Sequence, residues 1–238
     1  MAKLNKKHLS GMIGNLVFYQ LNGETVARAR PEKNGKKKGS SKQNDLFRTM
    51  TVYGSRLLRM LKTMVKFRID LKDFNAGKSL IFQQYKYYKD KPDWPIAINA
   101  FPPVSINSDT EFPKVFQMQL RSGDEGNIGF MLRGFNPKEV FNAPAHTTQV
   151  KLYFIGVSCA FTGHGPALKY ASAVQAIRWE HKTLQDFHFD LELKANPGEV
   201  VLLAFAVEFI VYAGGESVVC LDRKFLPAAL IGMGEWAI

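Results

Sequence analysis

The chain of 238 residues carries a formal net charge of +11, with 46% apolar residues, 12% aromatics and two cysteines. That composition is globular and excludes a fibrous or disordered chain, and the length leaves room for one large domain or for an ordinary domain with an appendage. No stretch reaches the roughly 18 uncharged apolar residues of a membrane span, because Glu208 interrupts even the apolar run 200–213.

The charge is unevenly placed. Residues 1–70 hold 16 Lys/Arg against 4 Asp/Glu, a net +12, whereas residues 71–238 hold 16 against 17, a net −1. A localised positive field concentrates polyanions and speeds encounter with them. Nucleic acid, an acidic protein surface and anionic lipid are therefore the partner classes this layout predicts, and a merely solvated terminus is the plain alternative.

In chain order, residues 1–8 are basic, but Leu9-Ser10-Gly11-Met12-Ile13-Gly14 is too short an apolar run for a signal-peptide core, which predicts a cytoplasmic location. A β-hairpin follows: residues 16–21 are β-rich, Asn22-Gly23 supplies the two positive-φ residues of a type I′ turn, and residues 24–30 alternate until Pro31 stops them. On the return strand Thr25, Ala27 and Ala29 share one face, while Val26, Arg28 and Arg30 share the other. A lone hairpin is marginal in water, so this one has to dock on something. Residues 32–41 hold no apolar side chain and read as a basic linker around Lys36, Lys37 and Lys38, extended by its own repulsion.

A helix is predicted from about residues 41–44 to Phe67, with Leu46, Met50, Tyr53, Leu57, Leu61 and Met64 at three- and four-residue steps. Arg48, Arg56, Arg59 and Lys62 fall largely on other faces, as does Lys66, which makes it a basic amphipathic rod. Phe74-Asn75-Ala76-Gly77 reads as a break and a fresh cap before a second helix over 79–89. There Tyr85, Tyr87 and Tyr88 interleave with lysines in a pattern suited to stacking bases, or simply to packing on the body.

From Pro92 onward the prolines remove helical periodicity. Strands are expected at 115–121, 127–133, 149–159, 170–179, 187–193, 200–212 and 217–221, separated by turn signals such as Asn136-Pro137, Asn196-Pro197-Gly198 and Gly214-Gly215. About seven strands at this spacing predict an antiparallel β-sandwich. Leu191, Leu193, Phe205, Val207, Phe209 and Val211 should face inward, and the apolar run at 200–211 should be a central strand. The fold expected is thus mainly β with a helical N-terminal region: a hairpin arm and linker over 1–43, helices over 44–91 and a β-sandwich over 92–238.

Nothing in the sequence assembles a catalytic constellation, and no cofactor is called for. His164 lies between glycines but lacks the lysine and the strand-to-helix setting of a phosphate loop. His181 and His188, with Glu180 and Asp186 nearby, match no zinc spacing, so no metal site is predicted. No Gly-x-Ser-x-Gly elbow occurs, and the pairs Asp124/Glu125 and Glu180/Asp186 sit on apparent turns where carboxylates are solvated. Cys159 and Cys220 could pair in a single disulfide or remain buried thiols.

The opening Gly11-x-x-Gly14-Asn15-x-Val17-x-Tyr19, followed by Gly23, Arg28, Arg30 and Pro31, resembles the start of a domain-of-unknown-function family common in Bacteroidetes (family 6266). Gln43, Arg48 and Phe74-Asn75 occupy similar places to the Gln/Arg-containing helix and Phe-Asn element of that family. The lysine tract and the C-terminal strands depart from it. The resemblance implies a fold plan and no catalytic residues, and it disfavours an enzyme.

Three functions fit these residues. The first is a non-enzymatic structural or assembly protein, forming a homo-oligomer or larger assembly, whose basic arm reaches a neighbouring subunit or an acidic partner. The second is a sequence-nonspecific nucleic-acid binder using Arg28, Arg30, Lys36, Lys37, Lys38, Arg48, Arg56, Arg59 and Lys62 on phosphates. The third is a carbohydrate-binding or hydrolytic sandwich with Trp94, Trp179 and Trp236 as a stacking platform.

Overall fold

The computed structural model describes residues 3–5, 8–13, 16–21, 24–30, 41–65, 71–88, 103–110, 112, 118–122, 124–160, 168–180 and 182–236. They fall into two compact units, Met1–Asp45 and Leu46–Ile238. Among the described residues are thirteen strands and three α-helices, and every strand pairing is antiparallel, so the protein is mainly β with a helical region.

The first unit is a four-stranded meander of β1 (Lys3–Asn5), β2 (His8–Ile13), β3 (Leu16–Leu21) and β4 (Glu24–Ala29), adjacent in that order. β3 and β4 are the expected hairpin, in register from Leu21 opposite Glu24 to Leu16 opposite Ala29. The turn residues Asn22 and Gly23 lie outside the described residues. β1 and β2 were not expected. The signal for β2 was Gly14-Asn15 between Ile13 and Leu16, a second two-residue hairpin spacing, and Ile13 does pair with Leu16.

Helix α1 (Ser41–Met64) is followed by α2 (Leu71–Tyr88). The second unit then runs through β5 (Val104–Ser105), β6 (Met118–Ser122), β7 (Ile128–Leu132), α3 (Pro137–Val140), β8 (Thr147–Cys159), β9 (Leu168–Arg178), β10 (Phe187–Leu191), β11 (Val200–Ala213), β12 (Glu216–Val219) and β13 (Ala228–Glu235). All seven expected strands are present, with β5 and β13 in addition. They build a six-stranded sheet with the path β5-β13-β11-β8-β9, in which β12 also pairs with β11, and a three-stranded sheet β10-β7-β6.

The centre of the larger sheet is buried on both faces. On one, Tyr153, Ile155 and Val157 of β8 and Leu202, Ala204 and Ala206 of β11 meet Met50, Tyr53, Leu57, Leu58 and Leu61 of α1. On the other, Leu152, Phe154, Leu203, Phe205 and Phe209 pack sandwich-like on Ile128, Phe130 and Leu132 of β7 and on Leu191 and Leu193. This double burial is why 200–207 is apolar without alternation, as a strand covered on both sides must be. Each large side chain removed from water there contributes about 1.5–3 kcal/mol.

The helix break expected at Phe74-Asn75-Ala76-Gly77 does not exist, because α2 runs continuously through it. Gly77 is buried against α1 instead: a methyl placed on it would lie 3.1 Å from Leu58 Cδ1, and one on Gly54 would lie 3.1 Å from Ile81 Cδ1. Each helix thus offers a glycine to the other's aliphatic side chain, and close packing overrides the local propensity of glycine to end a helix. Asn136-Pro137, expected as a turn, starts α3, with the Asn136 side chain accepting from the Lys138 N–H.

Candidate partner interface

Among the described residues the first unit shows no buried core. Pairing places Met12, Val17 and Arg28 abreast on one face with Tyr19 and Val26, and places Ile13, Leu16 and Ala29 abreast on the other with Phe18 and Ala27. Both faces therefore carry apolar side chains, one of them together with Arg28, yet none of the unit's residues whose burial is described is buried. Met12, Ile13, Leu16 and Tyr19 are 39%, 54%, 44% and 36% exposed. Arg28 and Arg30 are exposed too, and the Arg28 guanidinium stands 5.5 Å from the centre of the Tyr19 ring, a cation–π distance.

Helix α1 carries the second candidate surface. Its buried stripe consists of Met50, Tyr53, Leu57, Leu58 and Leu61, continued by Val65 just past its end, with the Tyr53 hydroxyl donating to the Ala160 carbonyl at 3.0 Å. Opposite that stripe Arg48, Arg56, Arg59 and Lys62 are all exposed. At 3.6 residues per turn these four cations fall within an arc of about 120° and span about 21 Å along the axis. Among the described residues none of the four forms a salt bridge. On α2, Lys86 and Tyr87 are exposed as well, Tyr87 at 60%. Lys36, Lys37 and Lys38 lie outside the described residues.

The buried carboxylates serve the fold. Glu199 accepts from the Ser158 hydroxyl at 2.5 Å, the Asn196 backbone N–H at 3.0 Å and the Asn196 side-chain amide at 2.9 Å, with Lys169 Nζ 3.3 Å away. Burial alone would push its carboxyl up, but those donors together hold it below the usual carboxylate range. Glu208 accepts from the Tyr153 hydroxyl at 2.9 Å and lies 4.0 Å from Lys151 Nζ. Burial first, then the Glu208 carboxylate, pushes the Tyr153 phenol above its ordinary value. The exposed Asp186 also accepts a backbone bond, from the Gly134 N–H at 2.6 Å.

The remaining candidates are dispersed. His188 and Glu125 are exposed, while His164, His181 and Trp94 lie outside the described residues. Among the described residues no group of three or more His, Cys, Asp or Glu side chains could hold a metal ion. Trp236 is buried and Trp179 stands edge-on to Phe209 at 5.7 Å, both within the core between the sheets. Cys220 is a half-buried free thiol. No described helix is long and apolar enough to cross a membrane. Comparisons with protein-family models, curated proteins and solved structures find no match to this chain.

Proposed function

We propose that this is a non-enzymatic structural or assembly protein, in which the N-terminal sheet docks on a neighbouring subunit and the second unit serves as a rigid body. The observation that carries this reading is the apolar, unburied character of both faces of the first unit. A small sheet gains stability chiefly by covering an apolar face, and contiguous exposed apolar surface marks sites of association. The likeness of the opening residues to a family without known activity points the same way. Deleting residues 1–40 is expected to leave the far-UV circular dichroism and cooperative melting of the body intact and to remove high-mass species from light scattering. Loss of folding on deletion, or undiminished high-mass species, would overturn the reading.

The basic face of α1 supports a second role, nonspecific polyanion binding by Arg48, Arg56, Arg59 and Lys62. Neutralised phosphates release counterions, so affinity for an oligonucleotide should fall steeply with salt and depend little on base sequence. Fluorescence anisotropy with two unrelated oligonucleotides across a salt series tests it, and salt-independent or absent binding would remove it.

A further inference from the structure

The two ends of the six-stranded sheet are built differently. At one end β5 is two residues long, Val104–Ser105, a length that leaves little edge to pair with. At the other end β9 runs for 11 residues, Leu168–Arg178, in unbroken register with β8 from Gln149 opposite Arg178 to Cys159 opposite Leu168. Among the described residues no strand pairs with its outer edge. β9 has few of the features that protect an edge strand: its sequence LKYASAVQAIR contains no proline, glycine or acid, the register shows no bulge, and its two cations, Lys169 and Arg178, stand only near the ends.

On the helix side of the sheet, the middle of β9 is exposed, although Leu168 at its start packs on the helix-side core. Tyr170, beside Val157, and Val174, beside Tyr153, are 67% and 50% exposed, although Tyr153 and Val157 themselves are buried. Ala171 and Ala173, on the opposite face, pack on the inter-sheet core.

We propose that β9 pairs with β9 of a second copy of this chain, antiparallel about a two-fold axis at Ala173, so that one continuous sheet runs through both copies. A second copy suits this edge because the exposed apolar strip of Tyr170 and Val174 then meets itself, and the charge pattern allows the register. With Ala173 on the axis, Lys169 faces Ile177, Leu168 faces Arg178 and Tyr170 faces Ala176, so no cation opposes a cation along the whole strand. Like charges directly opposite would destabilise the pairing. Ser172 faces Val174, and the two copies of Val174 become diagonal neighbours, with both Tyr170 rings extending the same apolar strip. Lys169 is already held by Glu199 at 3.3 Å and by the Lys194 carbonyl at 2.6 Å, which keeps its charge off the edge. A two-fold contact of this kind is self-complementary and closes after two copies. It does not depend on the docking role given to the N-terminal sheet.

The test uses the full chain at high salt and compares wild type with Val174→Lys, Ala173→Cys and Ile13→Lys by light scattering, with circular dichroism as the folding control. Val174 is half exposed, so lysine is accommodated in the monomer but sets two charges across the axis; a dimer constant weakened about ten-fold or more is expected. Ala173→Cys should give a disulfide-linked dimer on oxidation, beyond any seen in wild type, because directly opposed Cβ atoms lie about 4.5–5.5 Å apart. Ile13→Lys should leave the dimer in place and remove only larger species, which separates this contact from the N-terminal one. A dimer insensitive to Val174→Lys, one lost in Val174→Lys but never cross-linked through Ala173→Cys, or a wild-type monomer at high protein concentration would each overturn the pairing.

Discussion

Asp73, in the first turn of α2, is ion-paired with Arg223, 150 residues further along the chain, in the turn ahead of β13. Ser108 donates to Asp73 at 3.1 Å, Asp109 lies 2.9 Å from Arg223 Nε, and the Asn107 amide donates to the Arg223 and Leu226 carbonyls at 2.8 Å each. One polar knot thus joins a helix, a loop and the last strand of the larger sheet. Removing one partner of a buried pair leaves the other desolvated. Arg223→Ala is expected to cost about 3 kcal/mol in chemical denaturation, and Asp73→Ala a similar amount. A double mutant no worse than either single variant would confirm the coupling, whereas strictly additive losses would refute it.

Glu199 should shape the acid limb of stability. Its carboxyl is held below the unfolded value, so its contribution is complete above the unfolded carboxylate pKa of about 4.3 and is lost as pH falls through the lower folded value. Glu199→Gln should therefore destabilise the protein at pH 7, by a difference that shrinks progressively as pH falls below about 4.3. Urea melts of both proteins across this range measure it, and a constant gap would count against the assignment.

The N-terminal sheet predicts a separation of assembly from folding. Ile13→Lys with Leu16→Lys places charge on one exposed apolar face and should reduce high-mass species while leaving the melting of the body within about 0.5 kcal/mol of wild type, as is usual for surface substitutions. Unchanged particle size would assign that face no docking role.

Charge reversal on α1 tests the polyanion reading. Arg56→Glu with Arg59→Glu removes two exposed cations that make no salt bridge among the described residues. The slope of log affinity against log salt for duplex DNA should fall by about 2, close to 0.9 per phosphate contact. An unchanged slope would place the contact elsewhere.

Much of this fold was legible because local signals and burial agree. The stripe on α1 repeats at helical spacing, and the run at 200–207 is apolar throughout because β11 lies at the centre of a sheet covered on both faces. Gly214 and Gly215, with φ of 62° and 90°, make the two-residue turn their sequence implied. β13 was missed because it is small-residue rich and irregular. Its register with β11 shifts between Leu203 and Ala204, so Leu230 and Met233 fall on the same face, and no period of two survives. Gly77 misled because its packing against Leu58 is a tertiary fact. The Asp73–Arg223 knot has no local sequence signature at all. The cations of α1 were readable as a face, since helical spacing places them there, but the apolar exposure of the N-terminal sheet emerges only once β2 is paired with β3.

Size-exclusion chromatography with light scattering on the full chain, nuclease-treated and untreated, at low and high salt, tests the assembly reading most directly. High-mass species that survive both salt and nuclease are predicted, because apolar sheet contacts are insensitive to counterions and need no nucleic acid. A protein that is monomeric throughout, or that gains mass only at low salt with nucleic acid present, would contradict it.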